Sequence, residues 1–314
     1  MTRVDLITGF LGAGKTTFIH RYLRHLDGQR VLIIENEYGS VSVDARLLRN
    51  EPCEIEDLSG VCMCCKGRGQ FISMLKNAAR QGYDRVLVEP SGVYDVDEFF
   101  SVMHQPDVSA CCEIGCVLTI VDARVPEDLS VESEYLMFTQ LAAAGTVILS
   151  KVQFQSPEAV EAVALWLDRL YCAYGGHGAR AEICAKDWDD LTDEDFIRFQ
   201  ASGCHLDAHQ RQAMDHAEVY SACISAGKCL DEDDLRARLH ALMTEPRFGR
   251  VIRVKGYARD LERRCFEVNC TRTECAVSPA PDVRRGVLVI IGQDLDEDAL
   301  DGAFLPKDAV LAGK

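Results

Sequence analysis

The sequence predicts an α/β fold, a mainly parallel sheet covered by helices, followed by a smaller α+β domain. Three observations predict it. Short β-branched or leucine-rich runs alternate with helical patterns through the first half of the chain; a glycine-rich turn separates the first run from the first helix; and from Val219 the rhythm changes. Alternation of this kind reads as parallel strands joined by helices, because a parallel neighbour is reached only through a long crossover.

In chain order, Val4 to Thr8 reads as the first strand, and Phe18, Ile19, Tyr22, Leu23 and Leu26 mark an amphipathic helix after it. Further strands are expected at Val31 to Glu35, Arg85 to Glu89, Val117 to Asp122 and Thr146 to Ser150. Helical patterns lie at Gly69 to Arg80, Val96 to Met103, Glu134 to Ala144 and Pro157 to Leu170, the last with proline at its start. Around Asp187 to Asp195 the pattern dissolves into acidic and polar residues, which reads as a boundary. The expected division is a nucleotide-binding domain over 1–185, a linker over 186–215 and a C-terminal α+β domain over 216–314. In that last domain Tyr220 to Ser225, Arg250 to Val254, Arg264 to Asn269 and Gly286 to Ile291 read as strands, and Glu232 to Leu242 as a helix. At 314 residues the chain is long enough for two such cores.

The turn after the first strand is Gly9-Phe10-Leu11-Gly12-Ala13-Gly14-Lys15-Thr16, which fits GxxxxGK[ST] in the strand–loop–helix setting that the pattern requires. Glycines let the backbone N–H groups around Gly12, Ala13 and Gly14 turn inward to phosphate oxygens. Lys15 reaches the outer phosphates, and the Thr16 hydroxyl suits Mg²⁺. The first domain therefore reads as a P-loop NTPase domain. Ligands of such sheets gather at the carboxyl ends of the strands, so the phosphate loop, the segment after Glu35, Glu89 and Lys151 are expected along one edge.

Fifty acidic against 34 basic residues give a net charge of −16, which argues against nucleic acid or an anionic membrane as a partner. Neither a signal-peptide pattern nor an apolar run long enough to span a bilayer is evident, so a cytoplasmic location is expected. Fifteen cysteines are below the share that marks a disulfide scaffold. Reduced thiols are expected, most of them small buried hydrophobes such as Cys116 and Cys172.

One cysteine group stands apart: Cys62-Met63-Cys64-Cys65, with Gly60 before it and Gly67 and Gly69 after. In an extended loop Cys62 and Cys64 point the same way, and a turn brings Cys65 round. Three thiolates suit Zn²⁺ or another thiophilic ion such as Co²⁺ or Ni²⁺, with a fourth position open. A redox-active thiol and inert packing are the other readings, and the glycines count against packing. A weaker cluster is Cys204, His205 and His209, near His216; on a helix His205 and His209 would share a face, although a solvated interdomain helix explains them as well. Cys265, Cys270 and Cys275 do not share a strand face and carry little weight. Tyr38, Trp166 and Trp188 read as packing.

The phosphate loop, Glu35-Asn36-Glu37-Tyr38-Gly39 with Asp44 after it, the CxCC group and Glu89-Pro90-Ser91-Gly92 together resemble the CobW-like GTPases, relatives of the UreG and HypB metal-insertion GTPases. Arg253-Val254-Lys255-Gly256 and Ile291-Gly292 resemble the family's C-terminal domain, so the likeness spans nearly the whole chain. It implies a GTPase in which nucleotide state controls whether a transition metal is held or passed to a client metalloprotein, with homodimerisation under metal or nucleotide control; no catalytic glutamine or arginine finger is identifiable, so slow intrinsic turnover is expected. Carried over, Gly12, Ala13, Gly14, Lys15, Thr16 and Thr17 hold phosphates and Mg²⁺, and Glu89 is the Mg²⁺-side carboxylate. Asp44 and Glu37 belong to the first switch, Lys15, Asp44 and Glu89 form the expected catalytic set, and Glu37 is also available to complete the metal site of Cys62, Cys64 and Cys65. One departure stands out. Where the family reads guanine with an NKxD-type motif, this chain has Ser150-Lys151-Val152-Gln153. An aspartate accepts from guanine N1–H and N2–H₂; the Gln153 amide offers one acceptor and one donor. GTP is the expected nucleotide, with ATP tolerated. The competing classes are a small-molecule kinase with structural cysteines, which would need a basic lid, and a nucleotide-binding regulatory protein.

Overall fold

Residues of opposite parity along the first-domain strands face opposite sides, and both sides are apolar, so the sheet has to be covered twice. Val4, Leu6, Leu32, Ile34, Val86 and Val88 enter one core. Ile7, Val31, Ile33 and Leu87 enter the other. The computed structural model describes residues 1–36, 53–58, 67–124, 129–206, 219–281 and 286–304. The chain divides into two units, Met1–Met214 and Asp215–Lys314.

In the first unit seven strands, β1 (Thr2–Thr8), β2 (Val31–Glu35), β3 (Glu54–Asp57), β4 (Arg85–Glu89), β5 (Cys112–Asp122), β6 (Thr146–Ser150) and β7 (Glu182–Cys184), form a sheet of order β3-β2-β4-β1-β5-β6-β7. Every pairing in it is parallel. Helix α1 (Lys15–Leu23) covers one face through Phe18, Ile19 and Tyr22. The other face receives α2 (Arg68–Gln81), α3 (Val96–Met103) and the short α4 (Pro106–Ser109). Helices α5 (Val131–Ala143) and α6 (Pro157–Ala173) pack with Val121, Val147 and Leu149. The α/β expectation holds, and the strands read from the sequence are all present.

The expected linker over 186–215 needs correction. Residues Asp193–Ala201 form a helix, α7, and its Phe196 and Phe199 are buried with Phe18 and Tyr22 in the first unit's core. The acidic run that looked like a boundary is a helix start. Thr192 caps it, Asp195 completes a capping box, and Asp193, Glu194 and Asp195 occupy the first turn, where the helix dipole favours negative charge. Cys204 and His205 follow in extended backbone: Cys204 bridges Ala144, and the His205 N–H donates to the Ala143 carbonyl. His205 is thus not on the expected helix, and His209 and His216 lie outside the described residues.

Below the site, the first unit is tied by a buried polar cluster. The Asp5 carboxylate, fully buried, pairs with Arg85 of β4 and accepts from the Tyr22 hydroxyl at 2.9 Å and the Cys116 N–H at 3.2 Å. Burial, with Cys116 and Asp5 alongside, pushes the Tyr22 hydroxyl well above its ordinary pKa. One carboxylate therefore joins α1 to three adjacent strands.

The second unit is a five-stranded antiparallel sheet, order β11-β10-β9-β12-β8, built from β8 (Ser221–Ala226), β9 (Arg250–Arg259), β10 (Cys265–Thr271), β11 (Cys275–Ala280) and β12 (Val287–Gln293). Helices α8 (Glu232–Thr244) and α9 (Glu297–Ala303) bury Leu235, Leu239, Leu242 and Leu300 against Val254, Val268 and Ile290. Cys270 and Cys275 form a disulfide, against the expectation of reduced thiols. They do not share one strand; the chain turns back between them, so they become direct partners across β10 and β11.

Candidate nucleotide and metal site

β1 lies between β4 and β5, and the chain leaves it in one direction for β2 and later in the other for β5, which opens a crevice at its carboxyl end. The phosphate loop fills that position. Gly9 has φ 143°, and a Cβ there would lie 2.2 Å from the Ile120 carbonyl oxygen, so only glycine lets the loop pass β5. Gly92, beyond β4, is as constrained: a Cβ would stand 2.5 Å from the Leu11 nitrogen. The ExxG glycine is therefore needed to bring the end of β4 against the loop.

The expected phosphate and Mg²⁺ groups do converge. Lys15 is buried, and its ammonium donates to the carbonyls of Gly9 at 2.9 Å and Phe10 at 3.4 Å. The Thr16 hydroxyl donates to Glu89 Oε1 at 2.8 Å, bringing the start of α1 to the end of β4. A hydroxyl and a carboxylate oxygen at this separation are the hard donors that one Mg²⁺ would take together, with waters and phosphate filling the rest of its shell. No side chain caps α1 at Gly14, and no acidic residue lies in its first turn. Its first N–H groups are thus suited to an anion. Thr17 is exposed on the same turn. Glu35 and Asn36 are buried beside Glu89, with the Asn36 N–H donating to the Glu89 carbonyl at 2.8 Å.

On the far side of the loop Lys151 follows β6 with φ 60°. Its ammonium donates to Gly12 O at 3.2 Å and to Asp122 Oδ2 at 2.7 Å. Gln153 lies exposed in the one-turn 3-10 helix Val152–Phe154. Two neighbours were not expected from the sequence. Asp122, the last residue of β5, holds Lys151. Trp188 packs against the α1 core as expected, edging onto Phe18, and in addition donates its indole N–H to the Leu149 carbonyl at 2.9 Å and lies 3.3 Å from where a Gly14 Cβ would stand. The strand-end Asp-Ala and the acidic flank of Trp188 offered no periodic signal for either role.

Glu37, Tyr38, Asp44, Cys62, Cys64 and Cys65 lie outside the described residues. Among the described residues no group of three or more His, Cys, Asp or Glu side chains could hold a metal ion. No helix among them is long and apolar enough to cross a membrane.

A parallel sheet with a lysine- and threonine-bearing phosphate loop at its switch point, faced by a carboxylate, defines a P-loop nucleotide-binding protein. The family model of the CobW/HypB/UreG nucleotide-binding domain matches residues 3–173. That of the cobalamin synthesis protein CobW C-terminal domain matches residues 219–305. The chain belongs to the CobW/HypB/UreG family. It is 28% identical over 331 residues to the zinc chaperone YeiR of Escherichia coli (strain K12), covering 97% of this chain and 98% of that protein. To the zinc chaperone CobW of Sinorhizobium sp it is 28% identical over 343 residues, covering 95% of each. Among solved structures, the Zn(II)-bound YjiA GTPase from E. coli aligns over 96% of this chain and 98% of that one, at 18% identity and a TM-score of 0.43.

Proposed function

We propose that this chain is a GTP-hydrolysing metal chaperone, which holds a thiophilic transition metal, Zn²⁺ foremost, and delivers it to a client metalloprotein in the cytoplasm. The observation that carries the nucleotide half is the 2.8 Å contact between Thr16 and Glu89 beside the buried Lys15. Gly12, Ala13, Gly14, Lys15, Thr16 and Thr17 would bind phosphates; Thr16 and Glu89 would hold Mg²⁺, which supplies charge neutralisation at the β- and γ-oxygens. Lys151 and Gln153 would face the base, with GTP preferred and ATP tolerated. Family membership and the zinc chaperone names of the full-length relatives support the metal half.

The cargo would sit on Cys62, Cys64 and Cys65, with Glu37 as a fourth donor. This group lies in sequence between the Glu37–Asp44 segment and Glu89, so a rearrangement on loss of γ-phosphate would reach both sites. Intrinsic turnover is slow in this reading, and a client or a second copy of the chain accelerates it. Phosphate release from GTP and ATP, measured with and without Zn²⁺, Co²⁺ and Ni²⁺ in the intact protein and in Cys64→Ser, tests both halves. Metal-dependent turnover that disappears in Cys64→Ser is the expected result. Turnover indifferent to metal and to the substitution would remove the chaperone reading and leave a P-loop enzyme with structural cysteines.

A further inference from the structure

The Asp122 carboxylate is held by Arg124 through both oxygens, with Arg124 Nη2 reaching Oδ2 at 3.4 Å, and shares that Oδ2 with Lys151. Its Oδ1 accepts from the Arg124 backbone N–H at 2.9 Å and from Arg124 Nε at 3.3 Å, which fixes the carboxylate plane just past the end of β5. Its Oδ2 takes the Lys151 ammonium at 2.7 Å, and the same ammonium reaches Gly12 O at 3.2 Å. The strand pair does not need this contact. Asp122 and Ser150 already face each other in the β5–β6 ladder, and the Ala123 N–H donates to the Ser150 carbonyl at 3.0 Å. What the ammonium adds is a link from β6 to the phosphate loop. Lys151 makes it from left-handed backbone, a conformation that a side chain with a Cβ holds only when its surroundings enforce it.

We infer that Asp122 is a positioning residue for nucleotide binding: through Lys151 it fixes the base-side edge of the phosphate loop at Gly12 without reading the base. The inference rests on the proposed nucleotide reading. Asp122 and Lys151 are mostly shielded from solvent, with 16% and 19% of their side chains exposed, so the pair is weakly screened. Because the link ends on a loop carbonyl and not on a base edge, losing it weakens every purine nucleotide alike. Gln153, beyond Lys151, is left as the group that can tell guanine from adenine.

The test is calorimetric binding of GTP and ATP with Mg²⁺ to the full chain, with steady-state phosphate release, for the native protein, Asp122→Asn, Lys151→Met and the double variant. Asp122→Asn keeps the side chain's size and removes its charge. It is expected to raise Kd for GTP and ATP by the same factor, about tenfold, the scale of one charge-assisted hydrogen bond, and to raise KM while leaving kcat within about twofold. In the Lys151→Met background Asp122→Asn is expected to add nothing. Unchanged affinities in Asp122→Asn, or losses that multiply in the double variant, overturn the inference alone. A native protein that binds neither nucleotide overturns the proposed function with it. Should Asp122→Asn not fold, Asp122→Ser carries the test from the same position: an equal loss for GTP and ATP is required, and a shifted ratio between them overturns the inference.

Discussion

In the proposed reading, Gln153 stands where an NKxD-type motif carries its aspartate, and the ends of the two side chains differ by one atom type. The residue is exposed in the turn after Lys151, so it can be exchanged without disturbing a core. Gln153→Asp replaces the amide nitrogen by a second acceptor, matching the two donors on the guanine edge. It is expected to raise the preference for GTP over ATP by about tenfold, read as the ratio of the two dissociation constants. An unchanged ratio would show that the base is read elsewhere. At this scale the meeting of Lys15, Thr16 and Glu89 along one edge was legible, because the phosphate-loop pattern fixes the first two by spacing and the sheet's strand ends bring the third beside them. Asp122 was not: a carboxylate at a strand end has no meaning until Lys151, far along the chain, is folded back onto it.

Among the elements, α7 is the instructive one, because its start is written in acidic residues that also look like a solvated linker. Asp195 resolves the ambiguity. It is 1% exposed, takes two bonds from Lys186 Nζ at 2.8 Å, pairs with Arg198 and accepts from the Thr192 N–H at 2.9 Å. The Lys186 contacts first, then the Thr192 N–H, hold its carboxyl well below the ordinary carboxylate range. A pKa depressed by folding contributes stability that is fully present above the unfolded value of about 4 and is lost as pH falls below it. Asp195→Asn is expected to destabilise the chain at pH 7 by about 1–3 kcal/mol. Its deficit against the native protein should shrink as pH falls from about 4 towards 2. Urea unfolding of both proteins across that range checks it, and a deficit independent of pH would exclude the charge as the source. The main strands were legible as apolar runs, whereas β3 and β7 were not, because short strands at the sheet's edges carry too few apolar residues for a pattern.

At the scale of the whole molecule the two units keep separate cores. The Cys270–Cys275 disulfide belongs to the second, with Cys270 fully buried among its apolar residues, and the phosphate loop to the first. Closing so short a loop restricts the unfolded chain by about 2 kcal/mol. Reduction is therefore expected to lower the second unit's unfolding temperature in calorimetry while leaving GTP affinity unchanged; a parallel loss of affinity would contradict the separation. The residue order alone fixed the alternating α/β architecture, the phosphate loop with its lysine and threonine, and the change of rhythm near Val219. Each rests on local spacing, which periodicity and backbone geometry impose within a few residues. The folded chain added the helix Asp193–Ala201 to the first unit's core, made cross-strand partners of Cys270 and Cys275, and set Asp122 on Lys151 and Trp188 against Gly14. These are contacts between segments whose meeting depends on strand order and register, and none of them is written in the local pattern of either segment.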